Sequence, residues 1–257
     1  MEVGTVRGEA EEALAVALAA GEVRHAFQPI WRLDPPMLHG FEALARFPGG
    51  VYPDEVWTLA RERGQAARLD VISVKCAITE AYPLVGRLFV NVDAWWFGVA
   101  ESERVQGEMA GLLTDEALVY EVTEQESAGH MGFLRWRTLL ERRGVLLALD
   151  DAGSGASDPT RLAILRPRYV KLDRLLVTDW LEGTDTDQLP MWVHMAESVG
   201  AVTVAEGIED PFAAERLRAV GVRYVQGFAY GRPSVATDWT REAVLGLLPA
   251  LAPTGTG

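Results

Sequence analysis

The order of apolar runs along the chain predicts an α/β fold, a closed (β/α)8 barrel whose first strand is antiparallel to its neighbours. Three observations carry that prediction. Eight apolar runs of strand length can be separated, and from the second onward helical stretches alternate with them, the pattern of a parallel sheet. The first two runs are joined by Arg32-Leu33-Asp34-Pro35-Pro36-Met37-Leu38, too short for a parallel crossover and marked as a turn by its double proline. At 257 residues and 49% hydrophobic content, the chain can build one such barrel around a full core, which the alternation favours over an open doubly wound sheet.

Each element follows in order. Gly8–Ala20 reads as a helix, with Glu9, Glu11 and Glu12 near its start, where the helix dipole favours acids. Within residues 1–24 it is expected to pack on an edge or end of the barrel, which occupies residues 25–250. His25–Trp31 and His39–Phe47 are the antiparallel pair. Helices over Asp54–Arg63 and Arg68–Tyr82 lead to strand Leu88–Val92, and helix Ser102–Leu113 leads to strand Leu118–Thr123. Helix Gly132–Arg143 leads to strand Leu146–Asp151, an unbroken apolar run bounded by Gly144 and a Gly/Ser cluster, as expected of a strand buried on both faces. Helix Pro159–Leu165 then leads to strand Tyr169–Leu172, Gln188–Val199 to Val202–Ala205, and Pro211–Val220 to Tyr224–Phe228. A last helix covers Asp238–Leu248, and residues 251–257 form a tail rich in small residues that is expected to be flexible.

Charge narrows the function. A formal net charge of −13 argues against a surface for DNA or RNA polymers, which needs a basic stripe. An anionic substrate would need metal ions or local basic residues. Met1-Glu2-Val3-Gly4 lacks the basic region of a signal peptide, and no apolar run reaches the length of a membrane span. The single cysteine, Cys76, is expected in buried helix packing and cannot form an internal disulfide, which fits a reducing cytoplasm.

The chemistry lies at the strand ends. Glu42, Asn91, Glu121, Asp150 with Asp151, Lys171, Glu206 and Gln226 each follow an apolar stretch. In a barrel those ends meet on one face, so residues far apart in sequence become one cluster. Taken alone, the adjacent Asp150 and Asp151 admit two readings: hard-oxygen ligands for Mg²⁺ or Mn²⁺, or a strand end capping a Gly/Ser turn. Together, five strand-end carboxylate positions with an amide and an ammonium favour a site for two hard cations over a ring of buried ion pairs, which is costly to desolvate. His25, His39, His130 and His194 lie away from the strand ends and are expected to be structural or exposed. Neither zinc-ligand spacing nor a Gly-rich phosphate loop is present.

From Ala26 to Pro233 the chain resembles the EAL-domain phosphodiesterases, which hydrolyse cyclic di-GMP to linear pGpG. The motifs are Phe27-Gln28-Pro29-Ile30, Glu42-Ala43-Leu44-Ala45-Arg46-Phe47, Val90-Asn91-Val92, Tyr120-Glu121-Val122-Thr123-Glu124 and Asp150-Asp151-Ala152-Gly153-Ser154-Gly155. They continue through Val170-Lys171-Leu172-Asp173, Ala205-Glu206-Gly207-Ile208-Glu209, Tyr224-Val225-Gln226-Gly227-Phe228 and Arg232-Pro233. The naming triplet itself occurs three times, at Glu12, Glu42 and Glu116, and only Glu42 has the right strand and followers.

The resemblance implies two divalent ions, Mg or Mn. Glu42, Asn91, Glu121 and Asp150 would hold one, and Asp150, Asp151 and Glu206 the other. Lys171 would contact the nucleophile or phosphate, Glu209 would position Lys171, and Gln226 would orient water or substrate. Arg46 and Leu44, and by analogy Gln28 and Pro233, would contact the dinucleotide, while Glu124 would brace the loop after Asp151. Two departures stand out. Ala152 and Ser154 replace an aromatic residue and a threonine, expected to weaken loop order, dimerisation or activity, and Asp93 replaces a serine. Trp95 and Trp96 nearby are read as barrel packing, with base stacking as the alternative. A catalytically silent cyclic di-GMP receptor is the second reading of the whole chain, and a homodimer is a family expectation.

Overall fold

The structure, a computed structural model, describes residues 2–92, 117–122, 134, 137, 138, 141, 146–154 and 159–251. Eight strands close into one barrel in the order β1 to β8. Strand β1 (Arg24–Leu33) runs antiparallel to β2 (Pro36–Arg46) over its full length, from Arg24 opposite Arg46 to Leu33 opposite Pro36. The hairpin is longer than the apolar runs predict, because the strands continue to a tight turn at Asp34-Pro35. β1 is also antiparallel to β8, with Trp31 opposite Val225 and Arg32 opposite Tyr224. The remaining pairs, through β3 (Arg87–Val92), β4 (Leu118–Val122), β5 (Leu146–Ala152), β6 (Tyr169–Leu172), β7 (Val202–Ala205) and β8 (Tyr224–Val225), are parallel.

Strand alternation sets what lies inside. Ile30, Phe89, Val119, Ala148, Tyr169 and Val204 form one buried apolar layer. One residue further on, Val90, Tyr120, Leu149, Val170 and Ala205 belong to the larger core outside the barrel wall. Two residues on, period two returns the chain to the layer's own side with Asn91, Glu121, Asp150, Lys171 and Glu206. On the reversed β1 the same step runs backward, from Ile30 to Gln28, and Tyr224 leads likewise to Gln226. The apolar layer is therefore the floor of a polar one.

Helix α1 (Glu2–Ala20) packs with α2 (Pro53–Glu62) and α3 (Ala66–Glu80) in a satellite core that includes Leu14, Ala17, Leu18, Phe47, Val56 and Leu69. Helices α4 (Pro159–Leu165), α5 (Arg174–Glu182), α6 (Gln188–Ser198), α7 (Ala213–Ala219) and α8 (Arg241–Leu247) follow. α5 is absent from the sequence reading although its caps are in the sequence: the Asp173 side chain accepts a hydrogen bond from the Leu175 amide, and Gly183 ends the helix in the left-handed region. β8 is shorter than Tyr224–Phe228, because the chain turns at Gly227 into a short 3-10 segment, Phe228–Tyr230. Cys76 is half-buried rather than buried. Of the expected helix Gly132–Arg143, Leu134, Arg137, Thr138 and Glu141 are described and helical. Helix Ser102–Leu113, Thr123 and residues 252–257 lie outside the described residues, as do Trp95, Trp96 and His130. Among the described residues no helix is long and apolar enough to cross a membrane.

Candidate functional site

In a regular strand, Asp150 and Asp151 would point to opposite faces. They do not, because the β5–β6 register breaks between Leu149 and Ala152, and Asp151 adopts a left-handed backbone with φ of 54°. Aspartate tolerates that conformation better than most residues, and a bulge re-aims side chains at a barrel rim. As a result, ligand oxygens of Asp150, Asp151 and Glu206 lie within 4.8 Å of one another, close enough to share a metal ion.

Lys171 stands at the centre. Its Nζ lies 2.8 Å from Glu206, 2.9 Å from Glu121, 3.0 Å from Asp150 and 3.4 Å from Glu42. The Asn91 amide donates to Glu42 Oε1 at 3.1 Å, and the Gln226 amide donates to Glu42 Oε2 at 2.6 Å and to Gln28 Oε1 at 3.2 Å. Gln28 in turn donates to the Gly231 carbonyl, which ties β1 to the segment after β8.

Burial and crowding set the protonation. Burial raises the Glu42 carboxyl, but Lys171 and hydrogen bonds from Gln226 and Asn91 outweigh it and hold the group below its ordinary range. Glu121 is pushed well up by burial and by the Glu42 charge, and burial likewise raises Asp150. Glu206 is raised to about 8, chiefly by burial, with Lys171 opposing. Burial works against a charged Lys171, yet four surrounding carboxylates keep it firmly protonated. Glu121 Oε2 and Gln226 Oε1 are buried without hydrogen-bond partners. Hard oxygen donors at this density fit divalent cations, which would satisfy them without further protons.

Two cavities flank the cluster and share Glu42. One of about 280 Å³ runs between β2 and the α2–α3 pair and is lined by Leu44, Arg46, Trp57, Asp70, Asn91 and Asp151, among others. The other, about 230 Å³, lies at the β7–β8 end beside Gln28, Glu206, Glu209, Gln226 and Phe228. Arg46 is exposed, and its guanidinium donates to the Leu44 and Ala45 carbonyls. Pro233 precedes Ser234, whose backbone pairs with Phe27 on β1.

Glu209 departs from expectation. Its side chain is 64% exposed, with Oε1 4.0 Å from Arg174 Nη2, and it is absent from the ring of carboxylates around Lys171. Glu124 lies outside the described residues. Ala152, in the place of an aromatic residue, is fully buried, and its carbonyl accepts from the Asp173 amide at 2.9 Å. Gly153 packs so closely that an added Cβ would lie 2.3 Å from Leu176. This end of the loop is thus held against α5 without the ring. His25 is buried against Glu80 and Ser73, His39 packs beneath the site against Tyr169, and His194 is exposed.

The EAL domain family model matches residues 11–233. The chain belongs to the EAL-domain family. This EAL domain is 30% identical over 248 residues to Cyclic di-GMP phosphodiesterase NbdA of Pseudomonas aeruginosa, a match covering 87% of the chain and 30% of that protein. It is 26% identical over 244 residues to Probable cyclic di-GMP phosphodiesterase PdeD of Escherichia coli, covering 88% of the chain and 44% of the relative. The chain spans about a third of the length of the first curated relatives it matches. Among solved structures, BlrP1 of Klebsiella pneumoniae, described in calcium and manganese complexes with cyclic di-GMP, is 28% identical with a TM-score of 0.70, covering 83% of this chain and 56% of that one. The PaMucR phosphodiesterase complex, 24% identical, shares the fold at a TM-score of 0.75, with 90% and 99% covered. Structure also separates the three naming triplets: Glu12 lies in α1, Glu116 lies outside the described residues, and Glu42 reaches the polar layer.

Proposed function

We propose that this EAL domain is a metal-dependent phosphodiesterase that hydrolyses cyclic di-GMP to linear pGpG. The observation that carries the reading is the single cluster formed by Glu42, Asn91, Glu121, Asp150, Lys171 and Glu206, with Asp151 turned toward it by the β5 bulge. Glu42, Asn91, Glu121 and Asp150 would hold one Mg²⁺ or Mn²⁺, and Asp150, Asp151 and Glu206 the second. Such ions lower the pKa of bound water and offset charge developing on phosphoryl oxygens.

The chain's own groups do the rest. Lys171 offers a buried ammonium beside the phosphate, Gln226 orients its neighbours through an amide anchored on Glu42, and Arg46 can pair a phosphate bidentately. Leu44, Gln28 and Pro233 contact the dinucleotide, and Glu124 braces the loop after Asp151. A soluble cytoplasmic setting and a homodimer belong to the same proposal, and polymeric DNA or RNA is not a partner.

The second reading, a silent cyclic di-GMP receptor, draws on Ala152 and Ser154, which depart from the family loop. The test is hydrolysis with Mg²⁺ and Mn²⁺, resolved by chromatography for pGpG, beside Glu42→Ala. Turnover in the wild type, lowered at least about a hundredfold in the variant, is expected from loss of a metal ligand that also anchors Gln226. Tight binding without turnover in the wild type would support the receptor, and no binding would remove both readings.

A further inference from the structure

We infer that Phe228 and Glu209 form a base-recognition platform in the cavity at the β7–β8 end, with Phe228 stacking on a purine face and Glu209 reading the donor edge of guanine. The inference rests on the cyclic di-GMP reading above. The two residues come from different loops, but those loops are one unit. The Ile208 amide donates to the Gln226 carbonyl at 3.2 Å, and the Ala229 amide to the Ile208 carbonyl at 3.0 Å. At Gly227 an added Cβ would sit 2.2 Å from the Ile208 nitrogen, so the backbones touch where any side chain would part them.

Each residue is poised rather than consumed by packing. Phe228 is 46% exposed and lines the cavity, and the Arg232 guanidinium lies 4.2 Å from its ring centroid, backing the ring with a cation. Glu209 lines the same cavity, beside Arg174. Gly207, at φ of 67°, makes that approach possible, since a Cβ there would meet Arg174 Cγ at 2.3 Å. Arg174 thus packs over Gly207, with its guanidinium 4.0 Å from Glu209.

The chemistry matches one base. Guanine presents N1–H and N2–H2 together on its Watson–Crick edge, two donors for one carboxylate, whereas adenine presents an acceptor at N1. An aromatic ring stacks on either base. Phe228 therefore supplies affinity and Glu209 supplies selection.

The experiment is calorimetric titration of cyclic di-GMP and cyclic di-AMP, with Ca²⁺ as the cation, into the whole chain and its Phe228→Ala, Phe228→Tyr and Glu209→Gln variants. Phe228→Ala should weaken both dinucleotides about tenfold, and Phe228→Tyr should restore binding. Glu209→Gln should weaken cyclic di-GMP alone, collapsing the guanine-over-adenine ratio by about tenfold or more. If the wild type binds cyclic di-GMP while Phe228→Ala stays within about twofold of it, or Glu209→Gln keeps the ratio, the platform is overturned and the functional reading stands. If the wild type binds neither dinucleotide, that reading falls and the platform with it.

Discussion

Lys171 is 1% exposed and has four carboxylates within 3.4 Å, so its ammonium is what lets Glu42, Glu121, Asp150 and Glu206 share one volume without a metal ion. Removing one partner of a buried ion cluster leaves the others uncompensated, typically at a cost of about 3–5 kcal/mol. Lys171→Met should therefore lower the stability of chelated protein by about that amount, and Mn²⁺ should restore much of it. Urea unfolding in EDTA and in Mn²⁺ checks both arms; equal stability of variant and wild type in EDTA would count against the ammonium's role. Glu206 adds a pH dependence. Its folded-state pKa, raised to about 8 mainly by burial, lies above the unfolded value, so its contribution to metal-free stability is present at low pH and lost as pH rises toward 8. A metal ion competes with that proton. Mn²⁺ affinity should rise with pH through about 8 as Glu206 loses its proton, with proton release that calorimetry in buffers of different ionisation enthalpy would count. These residues were legible because each closes an apolar run. The neighbour of Glu209 was not legible, since what it meets depends on the path of Arg174 over Gly207.

Among the elements, the loops after β7 and β8 show how much depends on a missing side chain. Gly227 has φ of 163°, extended backbone open to any residue, so the constraint there is contact and not strain. Alanine would drive a methyl into the Ile208 backbone at 2.2 Å. Gly227→Ala should lower stability by about 1–3 kcal/mol, as overpacking does, and should also weaken dinucleotide binding by separating the two loops. Denaturant unfolding paired with titration would show it; wild-type behaviour in both would mean the loops are not coupled. The strands were readable as unbroken apolar runs and the parallel helices as their covers. α5 was not, because its nine residues follow β6 after Asp173 alone, and Leu175, 69% exposed, blurs the stripe that Leu176, Val177, Trp180 and Leu181 form. The β5 bulge was equally hidden. Register breaks arise from pairing with β6, a neighbour that the local sequence of Leu146–Ala152 does not contain.

For the molecule as a whole, barrel closure and charge belong together. Closing the sheet brings strand ends that are more than a hundred residues apart, such as Glu42 and Gln226, within 2.6 Å of one another. The chain it closes carries a formal net charge of −13, and the carboxyl groups of Glu42, Glu121, Asp150, Asp151 and Glu206 gather around the site. A dianionic dinucleotide approaching this face meets repulsion unless cations intervene, because a bound divalent ion becomes the largest local charge and reverses the sign of the field. Lys171 alone cannot do so, being already shared among four carboxylates. Cyclic di-GMP affinity should therefore drop by about ten- to a hundredfold on chelation, within the usual range of coupling between two sites. Linkage then requires the converse: saturating cyclic di-GMP must tighten Ca²⁺ binding by the same factor. Titrating each ligand in the absence and presence of the other closes the cycle. Equal dinucleotide affinity in EDTA and in Ca²⁺ would place the ligand away from the carboxylate cluster, and unequal factors in the two directions would show that a third equilibrium, such as self-association, is linked to binding.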